Sequence, residues 1–379
     1  MHPPVDLPPA IRTDASNAFA HHTMRVRAPG ILRQTVQLNP DYSPAIANAL
    51  EALAASLEAD APIPPLELPA PDYEEWMAVY ALHRGATWGN SQWWFAEIYL
   101  YRQVMQAVRW FETGRDPFAP RKQEELDSSA LWALIEEAHA DAPVERAERL
   151  SVRLLDALRG NRIDLSHQAA KHGTDWLSGD LLADERVPAV EHLLRTPGPV
   201  HIVVDNTGSE LAMDLLLALA LIADGRTVVL HVKWHPTFVS DATAADARAL
   251  IALFAMRLGH DELARAFEAG RLRLAPDPFW NSAHFLWALP PRLRSAWDDA
   301  ALVIVKGDAN YRRLIGDALW PPETPFTQVM AYFPKPLLAL RTLKSDGVVG
   351  LSQGQAEALD AVDPDWRVNG RRGVVQFKP

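Results

Sequence analysis

Six short runs of β-branched and other apolar residues follow Pro197-Gly198-Pro199, and they restrict the fold more than any other feature of the chain. They span residues 201–204, 227–232, 272–275, 302–305, 329–332 and 337–340. A strand with one wet face alternates apolar and polar residues, and most of these runs do not. Strands buried on both faces belong to a mostly parallel sheet between two layers of helices. Residues 196–379 are therefore expected to form a three-layer α/β/α domain, and that domain is expected to carry the chemistry.

The first half of the chain has a different texture. Apolar residues recur at three- and four-residue spacing over 45–59, 72–82, 91–112, 128–140 and 142–160, which predicts helices there. Prolines that cannot continue a helix separate them, in one linker holding Pro62, Pro64, Pro65, Pro69 and Pro71, and another holding Pro117 and Pro120. Residues 1–195 are thus expected to form an N-terminal helical domain. A chain of 379 residues has ample length for two such domains.

Charge and composition exclude several function classes. The net charge of −11 argues against a general nucleic-acid binder, so a small anionic ligand would need a local basic pocket. With no cysteine, disulfides, thiolate metal ligands and cysteine nucleophiles are all ruled out. The longest apolar run, 215–223, is far too short to span a bilayer, and the opening Met1-His2-Pro3-Pro4-Val5-Asp6 resembles no export signal. A cytoplasmic protein with neither membrane nor nucleic-acid partners is expected; the oligomeric state is left open.

Polar motifs close four of the expected strands, at the sheet edge where ligands of open parallel sheets bind. After Val203-Val204 comes Asp205-Asn206-Thr207-Gly208-Ser209-Glu210. Asp205 supplies a hard anionic oxygen and Asn206 a neutral one, Gly208 permits a tight turn, and the helix expected from Ser209 would offer free N–H groups to an anion. The same residues would also serve as an ordinary capping turn. Asp241, in Phe238-Val239-Ser240-Asp241, precedes an apolar helix and by itself reads more readily as an N-cap; only combined with Asp205 and Asn206 does it complete three oxygen ligands suited to Mg²⁺ or Mn²⁺.

The third motif is Lys306-Gly307-Asp308-Ala309-Asn310-Tyr311-Arg312-Arg313. Arg312 could grip phosphate oxygens through its planar fork, and Asp308 could bind a sugar hydroxyl or transfer a proton. The fourth, Leu340-Arg341-Thr342-Leu343-Lys344, adds two cations and a hydroxyl, although a lone Lys or Arg there is more often a surface charge. Four motifs on four strand ends favour one shared site.

These residues resemble the damage-control phosphatase family, in its acidic residue methyltransferase-like subfamily, over nearly the whole chain. The resemblance implies a divalent metal, Mn²⁺ or Mg²⁺ with Co²⁺ or Ni²⁺ as alternatives, on Asp205, Asn206 and Asp241. It implies substrate contacts at Asp308, Asn310, Tyr311 and Arg312, matching the family's Gly-Asp-x-Asn-Tyr-Arg, and at Arg341, Thr342 and Lys344, matching Arg-Thr-x-Lys. Glu97-Ile98-Tyr99-Leu100-Tyr101-Arg102 and Asp116-Pro117-Phe118 are similar to a family helix and turn, which adds Glu97 as a substrate contact. Glu97 and Arg102 lie about 140° apart round a helix, so both cannot face one ligand and one of them should pair within the protein. Thr207, Ser209 and Ala309 depart from the usual Ala, Phe and Leu, which bears on pocket shape and substrate choice.

The activity so implied is metal-dependent hydrolysis of small phosphorylated metabolites, sugar phosphates such as fructose phosphates among them, with Asp205, Asn206 and Asp308 in catalytic roles. Water or an aspartate carboxylate could attack phosphorus. Two alternatives of other classes are an S-adenosylmethionine-dependent carboxyl methyltransferase, for which no glycine-rich loop follows any strand, and a non-catalytic sugar phosphate binding protein, which would have no use for the metal trio. His231 and His235 are expected as neutral lining of the site.

Overall fold

The computed structural model describes residues 1–4, 6–140, 143–163, 180–259 and 261–379. Seven strands form one sheet: β1 (Leu181–Asp184), β2 (Val200–Val203), β3 (Val228–Lys233), β4 (Leu272–Asp277), β5 (Leu302–Lys306), β6 (Leu337–Thr342) and β7 (Gly373–Lys378). Their order is β1-β7-β6-β5-β2-β3-β4. The five central and right-hand strands, β6 to β4, pair in parallel; β7 runs antiparallel to β6, and β1 is parallel to β7.

Continuous apolar strands do bury both faces. Along β5, Leu302 and Ile304 join one core with the helices Arg146–Ile163 and Gly208–Ala223, while Val303 and Val305 join another with Trp280, Trp297 and Leu314. Along β6, Leu338 and Leu340 face the first core and Leu337 and Ala339 the second. The three-layer α/β/α arrangement follows directly: neither face of the sheet can be left wet. The N-terminal helices hold a third core, rich in aromatics, around Trp76, Trp88, Trp93 and Tyr99.

Several elements differ from the sequence expectation. The run at 329–332 is the end of a helix, Phe326–Val329, continued by a 3₁₀ turn, Met330–Tyr332. Phe326, Val329, Met330 and Phe333 are buried together, a three- and four-residue spacing that fits a helix better than a strand. Strand β7 was not expected, because Gln376 interrupts its apolar run; the buried amide is satisfied by Tyr311 and by the carbonyl of Val349. Strand β1 lies ahead of the expected 195/196 boundary, and its Leu-Leu-Ala-Asp is extended by pairing with β7 rather than by propensity. The expected helix over 91–112 stops at Ala107, and Arg109, with φ 56°, turns the chain before a short turn at Trp110–Thr113. The helix expected over 142–160 is Arg146–Ile163, and residue 142 lies outside the described residues. Helical structure also fills 18–38, ahead of the first expected helix.

The chain leaves β2 for β3 and β4 on one side, then returns to β5 on the other. The ends of β2 and β5 therefore flank the switch point of the sheet, where their loops diverge and leave a crevice.

Two histidines expected at the site lie inside the fold. His231 Nε2 is 2.9 Å from His201 Nδ1 and accepts a 2.9 Å bond from Trp297 Nε1, beneath the sheet. His235 packs among Trp110, Phe111 and Trp234 with Nδ1 2.9 Å from the Pro236 carbonyl. Neither lines the cavity described below, but both are held neutral: burial takes His231 down to about 3 and His235 to about 4. A depressed histidine stabilises the fold above its unfolded pKa near 6.5, and this contribution is lost as pH falls toward the folded value. Between pH 7 and pH 5, denaturant unfolding of His235→Phe should therefore gain about 2 kcal/mol relative to wild type; a pH-independent difference would show that His235 does not titrate as described.

Candidate active site

The crevice at the switch point is a cavity of about 520 Å³. Asp205, Asn206, Asp241, Asp308, Arg312, Lys344 and Glu97 all line it. Convergence has a local cause. The loop after β3 folds back beside the end of β2, so that Ala242 N–H donates to the Asp205 carbonyl at 2.8 Å, Thr207 N–H to Ser240 O at 2.8 Å, and Lys233 N–H to Ala242 O at 2.9 Å. Asn206 and Asp241 meet as a two-residue bridge. Phe238 and Val239 take φ of 46° and 70°, a backbone conformation costly for a β-branched residue, and Ser240 follows with its Oγ 2.7 Å from Asn206 Oδ1.

Asp205 is 5 % exposed, and its Oδ1 has no hydrogen-bond partner among the described residues. Burial first, then the charges of Glu210 and Asp241, push its carboxyl well above the usual range despite Lys233 and Lys344. Burial likewise lifts Asp241 to about 6, against the pull of Lys233, whose Nζ lies 3.2 Å away. Asn206 donates to Glu210 Oε2 at 3.0 Å and offers its carbonyl oxygen to the Ser240 side. Two crowded carboxylates, one with an unsatisfied oxygen, beside a carboxamide are short of positive charge, and hard oxygen donors suit a divalent cation. Among the described residues no group of three or more His, Asp or Glu side chains gathers as a metal site, so any such cation would rest on this mixed set.

Gly307 explains how β5 comes so close. With φ 84°, it brings Asp308 in directly behind Asp205, and a Cβ there would overlap the Asp205 carboxylate. Asp308 Oδ1 accepts from Arg341 Nε at 2.7 Å and from the Lys344 N–H at 3.0 Å. Burial raises its carboxyl, but Arg341 and then Arg312 outweigh that and hold it below the ordinary value, so Asp308 is anionic.

Arg312 makes a two-pronged pair with Asp317, at 2.7 and 3.1 Å, donates to Glu97 Oε2 at 2.6 Å, and stacks 3.7 Å over Trp93. Its guanidinium is thus fixed in place on the wall. Glu97 pairs with Arg312, whereas Arg102 turns to Asp72 with two 2.8 Å bonds, as their angular separation requires.

Four expected substrate contacts stand behind the wall instead of on it. Asn310 donates to the carbonyls of Val204 and Lys306, at 3.1 and 2.9 Å, and so ties the ends of β2 and β5 together. Tyr311 donates to Gln376 Oε1 at 2.8 Å. Arg341, fully buried, grips Asp308, Gly347 O and Ser345 while stacking on Tyr311, and Thr342 is fully buried. None of the four lines the cavity.

The helix N-terminus after β2 is also not free for an anion, contrary to expectation. Glu125 Oε1 accepts from Ser209 N–H at 2.8 Å and Ser209 Oγ at 2.9 Å, and its carboxylate lies so close over Gly208 that a Cβ would collide with it. Lys122, three residues earlier, is buried against Asp116 and Asp246 at 2.8 Å each and donates to the Asp241 carbonyl at 3.1 Å. Through Lys122 and Glu125 the Asp-Pro-Phe turn and its helix hold both the loop of Asp241 and the helix start after Asp205 and Asn206. Sequence reasoning missed these two residues, along with Thr23, Arg27 and Arg121 of the cavity wall. The charges within a helix beginning at Ala119 were the one available signal.

Acidic oxygens and fixed cations thus stand side by side in the switch-point crevice of an α/β protein. The comparisons name the group. Residues 23–359 match the model of the damage-control phosphatase ARMT1-like domain. Relatives called damage-control phosphatase ARMT1 include that of Danio rerio, 30% identical over 98% of this chain and 97% of its own, and that of Homo sapiens, 26% identical over 98% of each. A crystal structure of a DUF89 family protein from Pyrococcus horikoshii shares the fold, with a TM-score of 0.52 and 15% identity over 94% of this chain and 98% of that one. The chain belongs to the damage-control phosphatase ARMT1-like family, and by that membership is a phosphatase enzyme with the metal dependence of its family.

Proposed function

We propose that the chain hydrolyses small phosphorylated metabolites, sugar phosphates such as fructose phosphates among them, with a divalent cation on Asp205, Asn206 and Asp241. The observation that carries this reading is the common wall: the oxygen trio, Arg312 and Lys344 border one cavity of sugar-phosphate size. A divalent cation bound there would polarise a phosphoryl oxygen and neutralise its charge. Arg312, immobilised by Asp317, Glu97 and Trp93, would orient the phosphoryl group from the other side. Asp308, kept anionic by Arg341, would accept a hydrogen bond from a substrate hydroxyl or from the attacking water. Asn310, Tyr311, Arg341 and Thr342 would act as positioning residues for these groups.

The strand ends carry Asp-Asn-Thr-Gly and Gly-Asp-Ala-Asn, without the glycine-rich loop expected for a methyl-donor nucleotide, which supports hydrolysis over methyl transfer. No helix among the described residues is long and apolar enough to cross a membrane. Cytoplasmic placement, and the absence of nucleic-acid partners inferred from the acidic net charge, belong to the proposal.

The deciding experiment is phosphate release from a panel of sugar phosphates and nucleotides with Mg²⁺, Mn²⁺, Co²⁺ or Ni²⁺ in turn; activity untouched by a chelator would refute the metal site. Lys344→Ala should lower kcat/KM about 10- to 100-fold through weaker phosphate recognition. Unchanged kinetics would remove Lys344 from the site.

A further inference from the structure

The outer wall of the cavity comes from the N-terminal helices, and their middle turn, Thr23–Arg27, is π-helical. Such turns cost hydrogen-bond geometry and recur at functional sites. This one places both Thr23 and Arg27 on the cavity wall. In an α-helix a threonine hydroxyl commonly falls back on the carbonyl four residues earlier, as Thr35 does with Ile31 O at 2.8 Å. Thr23 Oγ1, by contrast, is buried with no hydrogen-bond partner among the described residues, in a residue only 5 % exposed.

Arg27 is exposed rather than buried, and its side chain is also uncommitted. It makes no hydrogen bond or ion pair among the described residues, whereas Arg121 on the same wall donates to Gln34 Oε1 at 3.0 Å and Arg312 is held on three sides. Glu97 and Tyr101 line the same cavity as Arg27. Glu97 engages Arg312 through Oε2. A sugar hydroxyl both donates and accepts, so a guanidinium, a hydroxyl and a carboxylate together can satisfy several of them. An apolar leaving group would offer none of the three a hydrogen bond and would leave the buried Thr23 hydroxyl without a partner.

We propose that Thr23 and Arg27 are substrate-contacting residues which, with Glu97, hold the hydroxyl groups of the leaving alcohol and select phosphate esters of polyhydroxylated alcohols. This rests on the phosphatase reading of the cavity and assigns its far end. The inner end, at Asp205 and Lys344, takes the phosphoryl group of any ester; the π-helical turn reads what is attached to it.

The test compares kcat/KM for fructose 1-phosphate with that for p-nitrophenyl phosphate, which has no sugar hydroxyls, in wild type, Arg27→Gln and Thr23→Val. The ratio of the two constants, taken on one preparation, does not depend on the folded fraction. It should fall about 10- to 100-fold in Arg27→Gln and about fivefold in Thr23→Val. A merely structural role would depress both esters alike and leave the ratio unchanged, which overturns the assignment. So would a wild type that cleaves the nitrophenyl ester but not the sugar phosphate. Absence of phosphate release from either ester, with every cation tried, would instead sink the phosphatase reading itself.

Discussion

Asp205→Asn should lower turnover by at least about three decades, equivalent to about 4 kcal/mol of transition-state stabilisation, while leaving the protein folded. The substitution keeps shape and one acceptor oxygen but removes the anionic charge that a divalent cation needs. Its effect on stability should run the other way. In the metal-free protein Asp205 is buried beside Glu210 and Asp241 with an oxygen unsatisfied, so the neutral amide relieves repulsion. Added Mn²⁺ or Mg²⁺ stabilises whatever state binds it, by an amount that grows with concentration over Kd. Wild type should therefore melt higher with added cation, and Asp205→Asn should hardly respond. A variant that shows the full thermal shift, or keeps normal turnover, would remove Asp205 from the cation site.

Lys306→Met should produce the largest loss of stability, about 3–5 kcal/mol. Lys306 is fully buried, 3.0 Å from Glu210 and 2.9 Å from Asp214, and donates to the Ala157 carbonyl at 2.7 Å. Two acids without solvent depend on that one ammonium, and burial already lifts Asp214 to about 7 against the pull of Lys306. Methionine fills the volume but leaves both carboxyls without their buried cation. Adding Asp214→Asn should recover part of the loss, because one uncompensated acid is then gone; strict additivity in a denaturant double-mutant cycle would show that the two residues are not coupled. Glu210 also holds Asn206, so the variant should weaken cation binding too.

The parallel sheet was legible because Val, Ile and Leu in succession have no other economical use than a strand covered on both sides. The strand ends were legible for a related reason: Asp205, Asn206 and Asp308 are polar residues stationed where apolar runs stop, Asp241 follows in the loop after β3, and all four line the cavity. What the motif could not say is which of its members face inward. Gly-Asp-x-Asn-Tyr-Arg becomes a short helix, Asp308–Ile315, on which Asp308 and Arg312, four apart, share a face while Asn310 and Tyr311 turn into the core. Arg341 and Thr342 lie off the wall for a similar reason: as the last residues of β6 they are enclosed on both sides, and Lys344, two residues later, is the one on the wall. Glu125 and Lys122 were invisible because their partners lie 84 and 119 residues away, at Ser209 and Asp241. Short strands such as β1 carry no periodicity of their own and exist only by virtue of a neighbour.

The residues bordering the cavity run from Phe19 near one end of the chain to Val368 near the other. A growing polypeptide on the ribosome consequently has no complete pocket until Val368 has been added. Early termination anywhere upstream of Lys344 yields a product that lacks a wall, however well its helices pack. Because acidic oxygens, cationic groups and outer rim are drawn from segments hundreds of residues apart, the crevice is complete only when all of these segments are present together.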